Sequence, residues 1–182
     1  MIGTALLRCA KQESWAIYAQ GRTIIDKVSP DINWVNFDLC NPGDALVKLP
    51  EFDVVFHLAG QTSTYAARDN PKFDLETNAV GFLNLLIHLK QQTQRPFVVF
   101  VGTVTQVGIT ERLPVNENHC DHPATFYDIS KLTAELYLKQ FVAEGWLDGC
   151  SLRLANVYGY SREGQSVDRG ILDKVFRAAM KG

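Results

Sequence analysis

Short apolar runs alternate with helical stripes along this chain, and that alternation limits the fold more than any other feature. Trp15-Ala-Ile-Tyr18, Asn33-Trp-Val-Asn-Phe37, Asp53-Val-Val-Phe-His-Leu58, Pro96-Phe-Val-Val-Phe-Val101 and Ser151-Leu-Arg-Leu154 read as strands. The later runs are nearly continuous in apolar residues, as parallel strands buried on both faces require. Between the strands, helices are expected over roughly Gly3–Lys11, Leu75–Gln92, Tyr127–Glu144 and Asp168–Met180. Leu75, Ala79, Phe82, Leu83, Leu86 and Leu89 form one apolar stripe, and Leu132, Leu136, Leu138, Phe141 and Val142 another. Strands alternating with helices predict an α/β fold, a doubly wound parallel sheet with helices on both faces.

With 182 residues, 46% of them hydrophobic, the chain can bury the core of one domain, taken as residues 1–182. A formal net charge of −2 gives no electrostatic reason to expect nucleic acid or an anionic membrane surface. No apolar run approaches the length that crosses a bilayer. The opening Met1-Ile-Gly-Thr-Ala-Leu-Leu-Arg-Cys-Ala lacks the basic-then-apolar order of a signal peptide. Cys9, Cys40, Cys120 and Cys150 are scattered, which suits a reduced cytoplasmic protein. Asn118-His119-Cys120-Asp121-His122 holds metal-ligand residue types. Their spacing matches no standard zinc pattern and no second cluster closes a site, so a polar loop without metal is expected.

Tyr127 and Lys131 stand four residues apart at the start of a helix and so share a face. An unperturbed phenol has a pKa of about 10. A neighbouring ammonium favours the phenolate, and the expectation is that Lys131 brings Tyr127 toward working pH. The pair then suits proton transfer to or from a sugar or alcohol hydroxyl. An isolated Tyr-x-x-x-Lys is also an ordinary amphipathic helix with a surface Lys.

Six segments change that balance. They are Phe37-Asp38-Leu39, Val54-Val-Phe-His-Leu-Ala-Gly60, Thr77-Asn78 with Gly81 and Asn84, Phe100-Val-Gly-Thr-Val-Thr-Gln-Val-Gly108, Tyr127-Asp-Ile-Ser-Lys131 and Leu152-Arg-Leu-Ala-Asn-Val-Tyr-Gly159. Each is weak alone. In this order, on these elements, they resemble the extended short-chain dehydrogenase/reductases, the epimerases, dehydratases and reductases of nucleotide sugars. The resemblance implies a Rossmann-like sheet, with Thr103, Tyr127 and Lys131 catalytic. It implies cofactor contacts from Gly3, Arg22, Asp38, Leu39, Leu58, Ala59, Gly60, Thr62, Asn78, Tyr127, Lys131 and Leu154. Thr103, Thr105 and Asn156 would touch the substrate. The partners implied are a nucleotide sugar and a second copy of the chain, docked through the helices at Leu75–Gln92 and Tyr127–Glu144. Asp38 also reads as a turn residue before Asn41-Pro42-Gly43, and Thr103 as a plain strand residue.

The departures are specific. Met1-Ile2-Gly3-Thr4 resembles only the last glycine of the family's glycine-rich turn, so the first strand is expected to be missing, as is the smaller domain that follows Gly182 in the family. In the 3-2-1-4-5-6 strand order the first strand is central. Its two neighbours must either close up or leave a gap. Ala19-Gln20-Gly21-Arg22 offers no acid for the adenosine ribose, which tilts the cofactor, NAD or NADP, toward NADP. Val107 stands where a Tyr is frequent, and Leu154 where an aromatic is. Val104 and Thr105 replace the Asp-Glu pair of the dehydratases, which favours epimerase first and reductase second. The rival readings are a non-catalytic dinucleotide-binding protein and an inactive fragment.

Overall fold

A computed structural model of the chain describes residues 2–23, 29–111, 113–157, 175 and 178–180. Its strands are β1 (Ile17–Gly21), β2 (Ile32–Asn36), β3 (Val54–His57), β4 (Phe97–Thr103) and β5 (Asp148–Leu154). Its helices are α1 (Ile2–Ala10), α2 (Thr64–Asp69), α3 (Pro71–Leu75), α4 (Gly81–Leu89) and α5 (Phe126–Ala143). A π-helical turn, Glu76–Val80, joins α3 to α4, and a 3₁₀ turn, Val104–Val107, follows β4. All pairing among these strands is parallel. The fold is Rossmann-like α/β.

The strands form two sheets, β1-β2 and β3-β4-β5. Among the described residues β1 and β3 do not pair, so of the two expected outcomes the strands leave a gap and do not close up. Side chains bridge it instead. The Tyr18 and Phe52 rings meet edge to face at 5.6 Å. A Cβ on Gly3 of α1 would lie 3.5 Å from Leu58 Cδ1, just past β3.

The core sits on the three-stranded sheet. Phe82, Leu86 and Leu89 of α4 pack with Val98 and Phe100 of β4, Leu138 and Phe141 of α5, and Leu147. Phe82, Leu86, Leu89, Val98, Phe100 and Leu147 are fully buried. Truncating one such Leu or Phe to Ala costs about 2–5 kcal/mol, enough to threaten a domain of this size.

Local chemistry sets the ends of the helices that carry the site. Thr125 caps α5, accepting from the Asp128 N–H, while Asp128 reaches back to the Thr125 N–H, a reciprocal capping box. Ser63 caps α2, and Asn70 caps α3 with Pro71 at its first position. Gly108 ends the turn after β4 at φ +71°, where a Cβ would strike the His122 carbonyl oxygen at 1.9 Å.

Two expectations shift. The first strand begins at Ile17 rather than Trp15, whose ring is exposed. The helix expected over Leu75–Gln92 is instead α3, the π turn and α4. The helix expected over Asp168–Met180 lies largely outside the described residues.

Candidate active site

The carboxyl end of β4 and the first turns of α5 meet at one polar cluster. Thr103, the last residue of β4, is buried. Its N–H donates to Gln106 Oε1 at 2.9 Å, and its hydroxyl lies 2.9 Å from that of Thr105. The Thr105 hydroxyl in turn donates to Asp128 Oδ1, on α5 next to Tyr127. Lys131, one turn on, is also buried and places Nζ 4.3 Å over the Phe100 ring of β4. So Thr103, Tyr127 and Lys131 come from two elements that are stitched together. Among the described residues no hydrogen bond joins the phenol of Tyr127 to Thr103 or Lys131.

The electrostatics depart from the sequence expectation. Burial raises the Tyr127 pKa above its ordinary 10, and the negative charges of Asp128 and Asp74 push it further up. The Lys131 ammonium rests on an aromatic face, and the groups acting on the phenol are carboxylates. Burial pulls Lys131 down to about 8, partly opposed by Asp74. The phenol is thus held protonated, not drawn toward the phenolate.

Asp74 anchors a second network below this pair. It is 1% exposed. Its Oδ1 accepts from Asn78 Nδ2 at 3.1 Å and Gln61 Nε2 at 2.8 Å, and its Oδ2 from the Ser130 hydroxyl at 2.6 Å. Asn78 also donates to Ser130 at 3.0 Å and accepts from the Gln61 N–H at 2.8 Å. Asn78 is fully buried with its amide fully engaged. Through these bonds it holds the loop after β3 against α5.

A third network lies behind Thr103. Glu135, 1% exposed, accepts from Gln106 Nε2 at 2.9 Å, Ser151 Oγ at 2.8 Å, Arg153 Nε at 3.0 Å and Lys139 Nζ at 2.7 Å. Arg153 also grips Asp121 through both terminal nitrogens, at 2.5 and 2.7 Å. Asp121 of the His/Cys/Asp cluster is therefore an ion-pair partner. No group of ligand residues able to hold a metal occurs among the described residues.

Half of the cofactor residues expected from sequence line one cleft of about 280 Å³. Arg22, Asp38, Leu39, Leu58, Ala59 and Gly60 line it, with Gln20, Gly21, Cys40 and Thr77. It opens between the carboxyl ends of the two sheets, where α/β folds bind ligands. A Cβ on Gly60 would sit 2.8 Å from Asn78 Oδ1, so only glycine lets the backbone run this close to that network. Asp38 takes the Cys40 N–H through Oδ1 at 2.9 Å, which makes it the turn residue the sequence also allowed. Arg22 is exposed at the rim, and Thr62 is exposed in the loop after β3. Leu154 pairs in register with Thr103, and Asn156 is exposed just beyond it. Thr105 is exposed, but its proton goes to Asp128 rather than to open space.

Sequence reasoning missed Asp74, Gln106, Asp128, Glu135 and Arg153. One signal was available. Tyr127, Lys131 and Glu135 form a single i, i+4 series on α5.

A model of the NAD dependent epimerase/dehydratase family matches residues 1–182. The chain belongs to that family. Among curated relatives, it is 38% identical over 116 residues to the GDP-6-deoxy-D-mannose reductase of Pseudomonas aeruginosa, covering 60% of this chain and 38% of the reductase. It is 33% identical over 116 residues to the UDP-glucose 4-epimerase of Mycoplasma pneumoniae, covering 60% of this chain and 33% of that protein. The chain thus spans less than half the length of these relatives. Among solved structures, the RMD protein of Pseudomonas aeruginosa complexed with NADPH is 30% identical, with a TM-score of 0.65 over 78% of this chain and 51% of that one. A UDP-glucose 4-epimerase from Thermotoga maritima with UDP-glucose superposes on 100% of this chain and 60% of its own. Its TM-score is 0.88 at 22% identity, a likeness of fold. The family's enzymes depend on NAD or NADP.

Proposed function

We propose that this chain is the dinucleotide-binding and catalytic core of an enzyme acting on a nucleotide sugar. C4 epimerisation is the first reading and ketone reduction the second. The observation that carries it is the joining of β4 to α5 through Thr103, Thr105 and Asp128, beside Tyr127 and Lys131. The absence of an acid-acid pair after Thr103 argues against dehydration.

The residues present fit a dinucleotide. Gly60 lets the backbone at the lip of the cleft run close against Asn78, and the cleft brings Asp38, Leu39 and Leu58 to one opening. Asp38, with one carboxylate oxygen free of the turn, would take the adenine amine, and Arg22 would meet a ribose 2′-phosphate. Lys131 would hold the nicotinamide ribose. When bound, the cofactor supplies hydride transfer. Tyr127 gives a proton to the sugar oxygen as a ketone is reduced, and its raised pKa keeps that proton available at neutral pH; the phenolate left behind takes the proton back in the reverse step. Thr103 fixes the oxygen that changes. The four unpaired thiols suit work in a reducing compartment such as the cytoplasm.

The test is the initial rate with a panel of UDP- and GDP-sugars, with NAD and NADP, before and after Tyr127→Phe. Loss of the proton carrier should lower turnover by about 100-fold or more while cofactor affinity is retained. A silent parent chain, or a variant within a few-fold of an active parent, would overturn the reading.

A further inference from the structure

Two buried ionisable groups beside the site have no ionic partner in direct contact. Asp74 on α3 is 1% exposed, and its two oxygens accept only from neutral groups, Asn78 Nδ2, Gln61 Nε2 and the Ser130 hydroxyl. Lys131 on α5 is 6% exposed. Its ammonium lies over the Phe100 ring and makes no ion pair or hydrogen bond among the described residues. A charge taken out of water without a partner is costly, and burial drives it toward the neutral form. The two elements pack on each other, and Ser130, the neighbour of Lys131, donates directly to Asp74. The other groups around the ammonium do not balance its charge. His57 of β3 is buried and neutral, its pKa held at about 3 by burial and then by Lys131. Phe100 of β4 offers only its ring face. Glu135, one turn on along α5, is committed to Arg153 and Lys139. Asp128 acts on Tyr127 and not on Lys131.

We propose that Asp74 is the counter-ion of Lys131, a positioning residue whose charge, held against α5 by Ser130 and Asn78, keeps the ammonium on Lys131 and the proton on Tyr127. This rests on the reading of Tyr127 and Lys131 as the catalytic pair. The ionic state of that pair is then set from a third element, α3, rather than by the two residues alone. With Asp74 in place the buried group holds one negative charge, one positive charge and a neutral phenol. Without it the ammonium would stand among aromatic and neutral side chains and give up its proton near neutral pH. Asp74 opposes the effect of burial on Lys131 and adds to it on Tyr127, so one carboxylate biases both groups toward their protonated forms.

The test is the titration of Lys131 itself, followed by NMR in this chain labelled with ¹³Cε-lysine, its signal assigned by its loss in Lys131→Met. The parent midpoint should lie at about 8. Asp74→Asn keeps the shape of the side chain. Its new NH₂ can donate to Ser130 Oγ, whose own proton turns to the Tyr127 carbonyl oxygen 3.0 Å away. In that variant the Lys131 midpoint should fall by about one pH unit or more, a tenfold loss of proton affinity. Ser130→Ala removes a hydrogen bond of the same network but not the charge, and should leave the midpoint near that of the parent. An unmoved or raised midpoint in Asp74→Asn, or an equal fall in Ser130→Ala, overturns the proposal. Where Asp74→Asn is too unstable to titrate, adding Lys131→Met should raise its melting temperature, whereas Lys131→Met in the parent should lower it. The same effect in both backgrounds sinks the pairing. These measurements need neither cofactor nor substrate. A chain that turns over no nucleotide sugar therefore loses the reading of its activity, while the midpoint still decides the role of Asp74.

Discussion

Replacing Glu135 with Gln should remove about 3 kcal/mol of stability. Glu135 is buried against four donors, Arg153, Lys139, Ser151 and Gln106. These hold its carboxyl at about 2, against an ordinary 4.5, even though burial alone would raise it. At about 1.4 kcal/mol per tenfold change in proton affinity, that difference corresponds to about 3 kcal/mol. Breaking one side of a buried ion pair costs about 3–5 kcal/mol, which agrees. Gln keeps the shape but turns an amide NH₂ toward the guanidinium. Because the folded pKa is the lower one, the stabilisation is complete above the ordinary carboxyl value. It is lost as pH falls from about 4.5 toward about 2. Urea melts of parent and Glu135→Gln at neutral pH give the loss directly, provided the slope m is unchanged. Repeating them down the acid range should show a steep limb in the parent that is shallower in the variant. A loss below about 1 kcal/mol, or an acid limb of equal steepness, would refute the account of this network.

Three further outcomes are expected. Arg22→Ala should lower the ratio of NADP to NAD affinity by on the order of tenfold, the scale of one charge-assisted hydrogen bond; an unmoved ratio in a binding titration makes Arg22 a solvated surface residue. A second copy of the chain should dock on the exposed apolar positions of the helical face, Val80, Ile87, Leu136 and Tyr137, so light scattering should report a dimer that Leu136→Glu dissociates, and a monomer at micromolar concentration counts against it. Hydrogen exchange should be slower in β4 and β5 than in β1 and β2, because the first pair lies in a three-stranded sheet under the core and the second in a two-stranded one; equal protection would show that the two sheets open together.

The element order was legible because it depends on local pattern. All five apolar runs became strands, and β4 matches its run within two residues at its end. The first strand was placed two residues early because Trp15 looks like strand interior. In the fold, Gly21 extends the strand and seats the Trp34 ring where a Cβ would come within 2.5 Å. The break in the helix after Leu75 was invisible, since one inserted residue in a π turn barely alters an apolar stripe. Its consequence is polar: the turn carries Asn78 into the bonds with Asp74 and Ser130. Tyr127 and Lys131 could be found by spacing alone. Their pKa values could not, because the groups that set them are brought in by folding. Asp74 lies on a separate helix, and Asp128, though adjacent in sequence, matters through its burial.

The two halves of the site rest on different foundations. Thr103, Tyr127 and Lys131 are positioned by β4, the 3₁₀ turn after it, α5, α3 and the π turn, which pack with the three-stranded sheet that carries the core. The cleft proposed for the cofactor instead takes Gln20, Gly21 and Arg22 from the end of β1, and Leu58, Ala59 and Gly60 from the end of β3. No strand pairing joins those two ends among the described residues. Strand edges with unpaired backbone are where a sheet is weakest and most open to another chain. Opening that break would therefore pull the cleft apart while leaving the polar cluster at Thr103 and Asp128 assembled. Ligand affinity in the cleft and the order of Thr103, Tyr127 and Lys131 are then expected to vary separately. A ligand that spans the break gains its affinity partly by ordering β1 and β2 against β3, so its binding free energy is reduced by the cost of that ordering.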